Sequence, residues 1–237
     1  MDNDMTYDGI FFINSAIDTT KTPDLSIFDV EKRLNQTLET LDSIDKYCPN
    51  NVKFIFDQSP ADVNPDYLNE IVSRPNTVFV DMGKNEYVTS LSLRRERSLA
   101  ETYAFIGFID WFKTKNVSAK RIYKVSGRYT LNDNFVLDDP SYENAFVFAN
   151  ALDSWLPKEK QISAGVDKLY RLRCWHMDYN LLDTFRNALS QIFTDCLENG
   201  IDVEHSYYKN LHMNKVVEVE TIGVNGIIGP SGEKIDE

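Results

Sequence analysis

Three short apolar runs in the first third of the chain restrict its fold more than any other feature. They lie at residues 9–13, 52–56 and 77–80. Such runs are typical of strands buried on both faces of a parallel sheet. Apolar residues recur at helical spacing between the first two runs, and residues 65–73 form a second, shorter helical pattern. The order strand–helix–strand–helix–strand with short connections predicts a mostly parallel, doubly wound α/β sheet.

The later part of the chain continues this alternation without a linker between two units. We therefore expect one domain, with its core at about residues 9–222. Residues 223–237 contain glycines at 223, 226, 229 and 232 and are expected to form a flexible tail. The elements expected after the third run are a polar segment at 84–92, a long helix at 93–115, strands at 121–131, 144–149, 169–177 and 216–222, and helices at 180–199 and 201–211.

The charge balance argues against a general nucleic-acid binder. The chain has 25 Lys and Arg residues against 37 Asp and Glu residues, which gives a net charge of −12. A surface with this charge repels phosphate groups. Any site for an anionic ligand must therefore be a local basic pocket.

Cysteine use and hydropathy favour the cytoplasm. Cys48, Cys174 and Cys196 are far apart, odd in number and form no CxxC pair, which favours a reducing compartment. The acidic, polar first residues do not have the pattern of a secretory signal. No apolar run approaches the roughly 18 residues of a membrane span. We expect a cytoplasmic protein, and the sequence does not indicate an oligomeric state.

The strand expected at residues 121–131 is interrupted by two small residues between cations. Ser126 and Gly127 form the interruption, with Lys124 before them and Arg128 after them. Glycine lets another group approach the backbone closely, and cations beside it favour phosphate or carboxylate. Strand alternation places the two cations on the same face. The alternative is a buried strand that leads into an ordinary turn, with both cations solvated at its edge.

A second group of cations opens the long helix expected at residues 93–115. Arg94, Arg95 and Arg97 occupy its expected first turns, where positive charge opposes the helix dipole. An anion bound at that end would offset the unfavourable interaction. The alternative is a solvated face on which these arginines pair with glutamates such as Glu96.

Several common catalytic signatures are absent from the sequence. There is no Walker loop, no GxGxxG after the first apolar run and no HExxH. Ser126-Gly127 lacks the preceding glycine of a serine-hydrolase elbow. The three histidines are too far apart in sequence for a recognisable zinc signature. Nucleophilic hydrolase chemistry is therefore disfavoured.

The motifs in their order resemble a known family. The first strand ending at Asn14 and Ser15, the arginine-rich helix with Glu101, and residues 124–129 are similar to GT-A-type glycosyltransferases. The similarity is to small bacterial and viral glycosyltransferase-like proteins with a Lys-x-Ser/Thr-Gly-Arg-Tyr strand. Further motifs extend the resemblance over about residues 9–232, and they lie at 144–150, 173–175, 204–205 and 223–226.

The resemblance implies a GT-A-like, Rossmann-like single domain with helices flanking a mostly parallel sheet. It implies a nucleotide-diphosphate sugar as the donor and a glycan or other hydroxyl compound as the acceptor. The donor would lie across the carboxyl ends of the first strands. Asn14, Ser15 and Asp57 would then be near the nucleoside.

Metal dependence is open because the chain departs from the family's metal motif. GT-A enzymes hold a divalent ion, Mn²⁺ or Mg²⁺, on the diphosphate with an Asp-x-Asp motif at the end of the strand after the long helix. Here residues 126–128 are Ser-Gly-Arg. A metal held by Asp133 or His176 is one alternative.

Direct cationic neutralisation of the leaving diphosphate is the other alternative. It would use Lys124 and Arg128, helped by an arginine at the start of the long helix. A buried arginine that braces an internal carboxylate such as Glu101 is the structural alternative to this role. The residues expected at the diphosphate are Arg94, Arg95, Lys124, Ser126, Gly127 and Arg128, and Arg97 is a further possibility.

An inverting transferase also needs a general base for the acceptor hydroxyl. Glu204, beside His205 at a loop-to-helix junction, is the predicted base, and Asp153 and Asp178 are reserves. The alternative for Glu204 is a carboxylate that only favours the helix dipole. The aromatic side chains that would stack on sugar or base, unless they fill the core, are Tyr129, Trp155 and Trp175.

Two other functions fit the same sequence. A catalytically silent GT-A-like domain that binds a glycan or a partner protein is supported by the missing Asp-x-Asp. Another nucleotide-using transferase, such as a nucleotidyltransferase, fits less well because no glycine-rich loop follows Ile13.

Overall fold

The computed structural model describes residues 5–23, 26–228 and 232–237. The strands in this part of the chain are β1 (Met5–Ser15), β2 (Val52–Asp57), β3 (Thr77–Asp81), β4 (Val117–Ser126), β5 (Tyr129–Leu131), β6 (Phe146–Ala149), β7 (Leu152–Asp153), β8 (Lys168–Leu169), β9 (Cys174–Asp178), β10 (Val216–Val219), β11 (Val224–Ile227) and β12 (Lys234–Asp236). The helices are α1 (Val30–Tyr47), α2 (Pro65–Val72), α3 (Glu86–Leu93), α4 (Arg97–Phe112), α5 (Lys158–Ala164), α6 (Leu182–Glu198) and α7 (Val203–Leu211).

Seven strands form the central sheet in the order β10-β6-β9-β4-β1-β2-β3. The pairings of β1 with β2 and β4, of β2 with β3, and of β6 with β10 are parallel. Only β9 runs against its neighbours, β4 and β6. The predicted mostly parallel α/β sheet with flanking helices, in a single domain, is confirmed.

The first apolar run is buried on both faces because β1 lies inside the sheet. On one face Phe12 packs edge-on against Phe108 and Phe112 of α4, with ring centroids 4.9 Å apart in each pair. On the other face Phe11 stacks on Tyr123 at 4.9 Å. Burying one such ring contributes roughly 1.5–3 kcal/mol. Two-sided burial explains why this strand has no polar alternation.

The expected long helix at residues 93–115 is two helices, α3 and α4, and α3 also covers most of the expected polar segment. The break is a Schellman motif in which Arg95 takes a left-handed conformation (φ 65°). The N–H of Arg95 donates to the carbonyl of Ser92 (3.0 Å), and that of Glu96 donates to Leu91 (3.0 Å). Glycine usually takes this position, so the sequence did not signal the break.

Because of this break, the expectation that all three arginines lie in the first turns of one helix was wrong. Arg94 and Arg95 follow the carboxyl end of α3, where the helix dipole favours cations. Only Arg97 stands at the start of a helix, as the first residue of α4. The first two arginines therefore need no bound anion to offset the dipole.

The expected flexible tail was wrong for residues 224–227 and 234–236. These residues form β11 and β12, which join β5 in an antiparallel sheet ordered β12-β11-β5. Gly226 lies opposite Tyr129 in this sheet. A Cβ atom on Gly226 would come within 2.5 Å of the Tyr129 ring, so glycine here serves close packing. Gly229, also assigned to the tail, lies outside the described residues.

Two further observations concern the chain as a whole. Over the described residues, we find no helix with both the length and the apolar character required to cross a bilayer.

Cys48, Cys174 and Cys196 are buried free thiols. Burial raises the pKa of all three, to about 12, 12 and 11 respectively, so each is a poor nucleophile near neutral pH.

Candidate active site

A polar cavity opens where β1 and β4 end side by side. Asn14 of β1 pairs with Ser126 of β4 in the parallel register, and Gly127 N–H donates to the Asn14 carbonyl at 2.8 Å. The cavity has a volume of about 160 Å³ and adjoins a wider cleft of about 780 Å³. Together they are in the size range of small-molecule sites. Asn14, Ser15, Ser126, Gly127 and Arg128, all predicted site residues, lie on the cavity wall.

Gly127 lets the end of β4 approach both β1 and α1. A Cβ atom at this position would lie 3.3 Å from Ser15 Cβ and 3.4 Å from Thr37 Oγ1. The Thr37 hydroxyl donates to the Gly127 carbonyl at 3.2 Å. The glycine therefore serves close packing of the cavity wall itself.

Asn14 has one satisfied and one unsatisfied amide atom. Its Nδ2 donates to Glu101 Oε1 at 2.9 Å. Its Oδ1 is buried and has no hydrogen-bond partner in the described part of the chain. A buried acceptor without a donor is costly.

Asp57 braces the loops beneath the cavity and is not on its wall. Its carboxylate accepts from the Ser15 hydroxyl at 2.6 Å and from the backbone N–H groups of Ile17 and Ser59 at 3.0 and 2.9 Å. The side chain is fully buried. The structure therefore brings Ser15 to the cavity and gives Asp57 a supporting position behind it.

Lys124 points into the protein and is separated from the cavity. It is 1% exposed, and its Nζ donates to the Leu172 carbonyl at 2.6 Å and to the Ser126 hydroxyl at 2.9 Å. Glu101 Oε1 lies 3.8 Å away. Burial lowers the pKa of Lys124, while the Glu101 charge opposes that effect. Glu101 is therefore braced by Lys124, and not by the buried arginine that we considered for this role.

Arg128 shares the cavity wall with Arg33, a residue that the sequence analysis missed. Arg33 lies on α1, and its Nε donates to the Ala16 carbonyl while Nη1 donates to the Ser26 hydroxyl at 3.0 Å. Burial, together with the positive charges of Arg128 and Arg97 and against the opposing charge of Asp57, lowers the pKa of Arg33 to about 10. Positive charge is therefore concentrated at this cavity.

The three arginines near the α3–α4 break have different positions. Arg97 lines both the cavity and the wider cleft. Arg94 is exposed and pairs with Glu96 at 3.3 Å, and it lies on neither wall. Arg95 is also exposed and outside both walls. Arg94 and Arg95 were expected at the diphosphate, and the structure does not bring them to the cavity.

Glu204, the predicted general base, lies on the wall of the wider cleft with Glu101 and Arg128. Burial and the negative charge of Asp202 together raise its pKa to about 7. His205 turns away from the cleft: its side chain is fully buried, with Nδ1 2.6 Å from Asp202 Oδ1 and Nε2 2.8 Å from Ser154 Oγ. The carboxyl group of Glu204 is thus half protonated near neutral pH.

Of the reserve bases and the aromatic residues predicted for the site, two aromatic residues lie at the cleft and both reserve bases lie away from it. Asp178 is buried 3.8 Å from Arg121, and Asp153 is exposed on β7. Neither lies on the wall of the cleft. Trp175 is fully buried in the core, whereas Trp155 is 62% exposed at the cleft. The centre of the Tyr129 ring is 5.8 Å from the guanidinium carbon of Arg128 and 5.9 Å from that of Arg173.

Neither suggested metal ligand lies at the cavity. Asp133 is exposed and accepts from the Tyr47 hydroxyl. His176 is buried between the rings of Tyr123 and Tyr142, and burial lowers its pKa to about 3. Over residues 5–23, 26–228 and 232–237, no group of three or more His, Cys, Asp or Glu side chains is placed to hold a metal ion.

The cleft also contains an ion-pair cluster that the sequence analysis did not connect. Arg171 Nη1 donates to Glu237 Oε1 at 2.5 Å, and Arg173 donates to the same oxygen. The contact fixes the residue after β12 against the segment that precedes β9. The two arginines are visible in the sequence, but their partner is more than sixty residues away.

Comparisons with solved structures identify the fold. The chain superposes on a bifunctional glycosyltransferase, WbbM, with a TM-score of 0.55 and 11% identity over 90% of this chain and 39% of that one. It superposes on the galactosyltransferase LgtC, in complex with donor and acceptor sugar analogues, with a TM-score of 0.52 and 9% identity over 84% of this chain and 69% of that one. The fold is that of GT-A glycosyltransferases.

A third solved structure agrees with this assignment. The glycosyltransferase GlyE of Streptococcus pneumoniae TIGR4 matches with a TM-score of 0.50 and 8% identity, over 90% of this chain. The chain spans 39% of the WbbM chain and 46% of the GlyE chain. The sequence matches no protein-family model and no curated protein. Because the sequence identities are only 8–11%, this likeness shows the fold of the chain and nothing finer.

Proposed function

We propose that this chain is a nucleotide-sugar-dependent glycosyltransferase. It would move a sugar from a nucleotide-diphosphate donor to a hydroxyl group of a glycan or another acceptor. The observation that carries this proposal is the cationic cavity at the carboxyl ends of β1 and β4, in a protein with a net charge of −12. Ligands of open α/β sheets bind at such strand ends, and a local basic pocket selects an anion.

The cavity and the cleft suit the two halves of the reaction. The cavity offers Arg33 and Arg128 to phosphate. The wider cleft offers Glu204 and the exposed Trp155 ring. Aromatic faces pack against sugar rings. We therefore assign the cavity to the donor and the wider cleft to the acceptor.

Glu204 is our proposed general base in an inverting transfer. The acceptor oxygen would bond to the anomeric carbon of the donor while the bond from that carbon to the diphosphate oxygen breaks. The hydroxyl proton would pass to Glu204, and the departing diphosphate would carry the negative charge toward Arg128. A base with a pKa of about 7 is suited to proton transfer near neutral pH.

We place the reaction in the cytoplasm on the basis of the thiols. The three cysteines are buried and unpaired with one another. Free thiols in this number are typical of a reducing compartment.

A catalytically silent domain that binds a glycan is the second candidate. Its supporting observation is the end of β4, where residues 126–128 provide Ser-Gly-Arg and no carboxylate. In that case the cleft would bind a saccharide and the cavity would not respond to nucleotides.

A thermal-shift panel separates the two candidates. The protein would be titrated with UDP, GDP, CDP, ADP and dTDP, each with and without Mn²⁺. The glycosyltransferase proposal predicts that at least one nucleotide raises the Tm, since a ligand at 100 times its Kd stabilises the folded state by about 2.7 kcal/mol. The matching nucleotide sugar should then be consumed when acceptors are added. A protein that responds to none of the five would refute the proposal.

A further inference from the structure

We propose that Arg33 and Arg128 hold the donor diphosphate directly, in the place where the GT-A fold implies a metal ion held by carboxylates. This inference rests on the proposed function and names how its donor site works. Three observations carry it: the chemistry of the cavity wall, the concentration of positive charge there, and the fixed position of the Arg33 guanidinium group beside the turn that carries Arg128.

The residues on the cavity wall do not fit a divalent metal. Mn²⁺ and Mg²⁺ prefer carboxylate, carbonyl and water oxygens. In the part of the chain that the structure describes, Glu101 is the one carboxylate on that wall. Its Oε1 already accepts from Asn14 and lies 3.8 Å from Lys124 Nζ. A guanidinium group, from Arg128, is present where a metal-binding acid would be needed.

The charge of the cavity fits an anion instead. Arg33 is partly buried, and nearby positive charges destabilise its own charge beyond the effect of burial. A diphosphate in the cavity would reverse that effect, because opposite charges at close range favour each other's ionised forms. Guanidinium groups also match phosphate geometry, with parallel N–H donors that form short charge-assisted bonds.

The Arg33 side chain and the turn that carries Arg128 are held in place before any ligand arrives. Arg33 is fixed by its two bonds to the loop after β1, at Ala16 and Ser26. The single Thr37 hydroxyl proton is shared between the Arg33 carbonyl, at 3.1 Å, and the carbonyl of Gly127, next to Arg128, at 3.2 Å. Thr37 therefore links the helix that carries one arginine to the turn that carries the other. Donors fixed in this way need little reorganisation to stabilise charge on a leaving group.

Inorganic pyrophosphate and UDP are the probes for this inference, together with the nucleotide that gives the largest thermal shift if that is not UDP. Binding would be measured by calorimetry in EDTA and again with Mn²⁺. The wild type should bind in EDTA, and Mn²⁺ should change the Kd by less than about threefold. Raising the salt concentration should weaken binding in both buffers, because the contacts are ionic.

The variant Arg128→Ala should weaken pyrophosphate and nucleotide binding about 10- to 100-fold, the range for a lost hydrogen bond to a charged group. Arg128→Lys should weaken binding less than Arg128→Ala does. Lysine keeps the positive charge but lacks the parallel N–H donors of the guanidinium group. Arg94→Ala is the matched control, since Arg94 is exposed and outside the cavity. Arg33→Lys tests the second arginine without emptying its position, and its Tm separates loss of binding from loss of folding.

The outcomes distinguish the inference from the proposed function. Nucleotide binding that requires Mn²⁺, or that survives Arg128→Ala unchanged, overturns the arginine site and leaves the transferase proposal standing. Pyrophosphate binding in EDTA that Arg128→Ala weakens, without binding of any nucleotide, keeps the arginine site and refutes the transferase. A wild type that binds none of these probes in either buffer overturns both.

Discussion

Asn14 Nδ2 donates a 2.9 Å hydrogen bond to Glu101 Oε1, and this bond ties the end of β1 to α4 on the wall of the cavity. The same Glu101 oxygen faces the buried ammonium group of Lys124 at 3.8 Å. One carboxylate therefore joins three elements, β1, α4 and β4, and provides the counter-charge to a lysine that is 1% exposed.

Glu101→Gln should destabilise the fold. The amide keeps a hydrogen-bonding oxygen for Asn14 but removes the negative charge near Lys124. A buried ammonium group without its counter-charge is costly, so we expect the free energy of unfolding at pH 7 to fall by about 1–2 kcal/mol. Urea denaturation measures the change. Glu96→Gln is the control, because its partner Arg94 is largely in solvent; equal losses in the two variants would contradict the role of the Lys124 contact.

Glu204→Gln should abolish transfer while leaving nucleotide binding intact. Removal of a general base lowers the rate by about 10²- to 10⁴-fold. In the wild type, kcat/KM should fall as the pH drops below about 7, where Glu204 becomes protonated. Initial rates across pH 5.5–8.5 with a responding nucleotide sugar would test this. A profile without an inflection near neutrality would argue against Glu204 as the base.

The same substitution should stabilise the protein at alkaline pH. The pKa of Glu204 is raised from 4.5 to about 7, so the folded protein binds a proton more tightly than the unfolded chain does. The ionised group therefore reduces stability as the pH rises from about 4.5 to 7, and the cost persists above that range. We expect Glu204→Gln to add on the order of 1 kcal/mol at pH 8. Glu198→Gln, exposed at the end of α6, should change stability little.

Glu237→Gln should loosen the antiparallel sheet. The carboxylate is 6% exposed and accepts from both Arg171 and Arg173. Loss of its charge weakens two contacts that fix the residue after β12, so amides in residues 224–227 and 234–236 should exchange hydrogen faster. Asp236→Asn alters an exposed neighbour that bonds only Asn132 at 2.9 Å among the described residues. Exchange that is equally fast in both variants would mean that the cluster does not secure β12.

Gly226→Ala should be more damaging than Gly127→Ala. At 226 a Cβ atom would come within 2.7 Å of the Arg128 carbonyl as well as 2.5 Å of the Tyr129 ring, and a backbone group cannot move away cheaply. At 127 the nearest atoms are 3.3–3.4 Å away. We expect a loss of about 1–3 kcal/mol at 226, typical of overpacking, and a smaller loss at 127. Thermal denaturation of the two variants would show whether this order holds.

Much of the donor cavity could be predicted because parallel strands bring their carboxyl ends to one edge of a sheet. Asn14 and Ser126 follow apolar strand residues, and the register places them side by side. Gly127 and Arg128 come directly after them in sequence. Local pattern and sheet direction were enough for these positions.

Other site residues could not be predicted because their roles depend on distant partners. Arg33 lies on an amphipathic helix and looks like an ordinary polar-face residue, but its bonds to Ala16 and Ser26 turn it toward the cavity. Arg94 and Arg95 looked like part of a helix start until the left-handed Arg95 showed where α3 ends.

The sequence by itself determined the order of the elements, the parallel sheet and the edge at which its polar strand ends meet, because hydrophobic periodicity and strand direction are local properties. Only the tertiary structure decided which charges face the cavity. Lys124 and Arg128 were expected on one face, but β4 ends at Ser126, so alternation no longer relates them. Lys124 is buried against Glu101 and Arg128 lies with Arg33. A side chain's burial and charge partners are set by elements that are far apart in the chain.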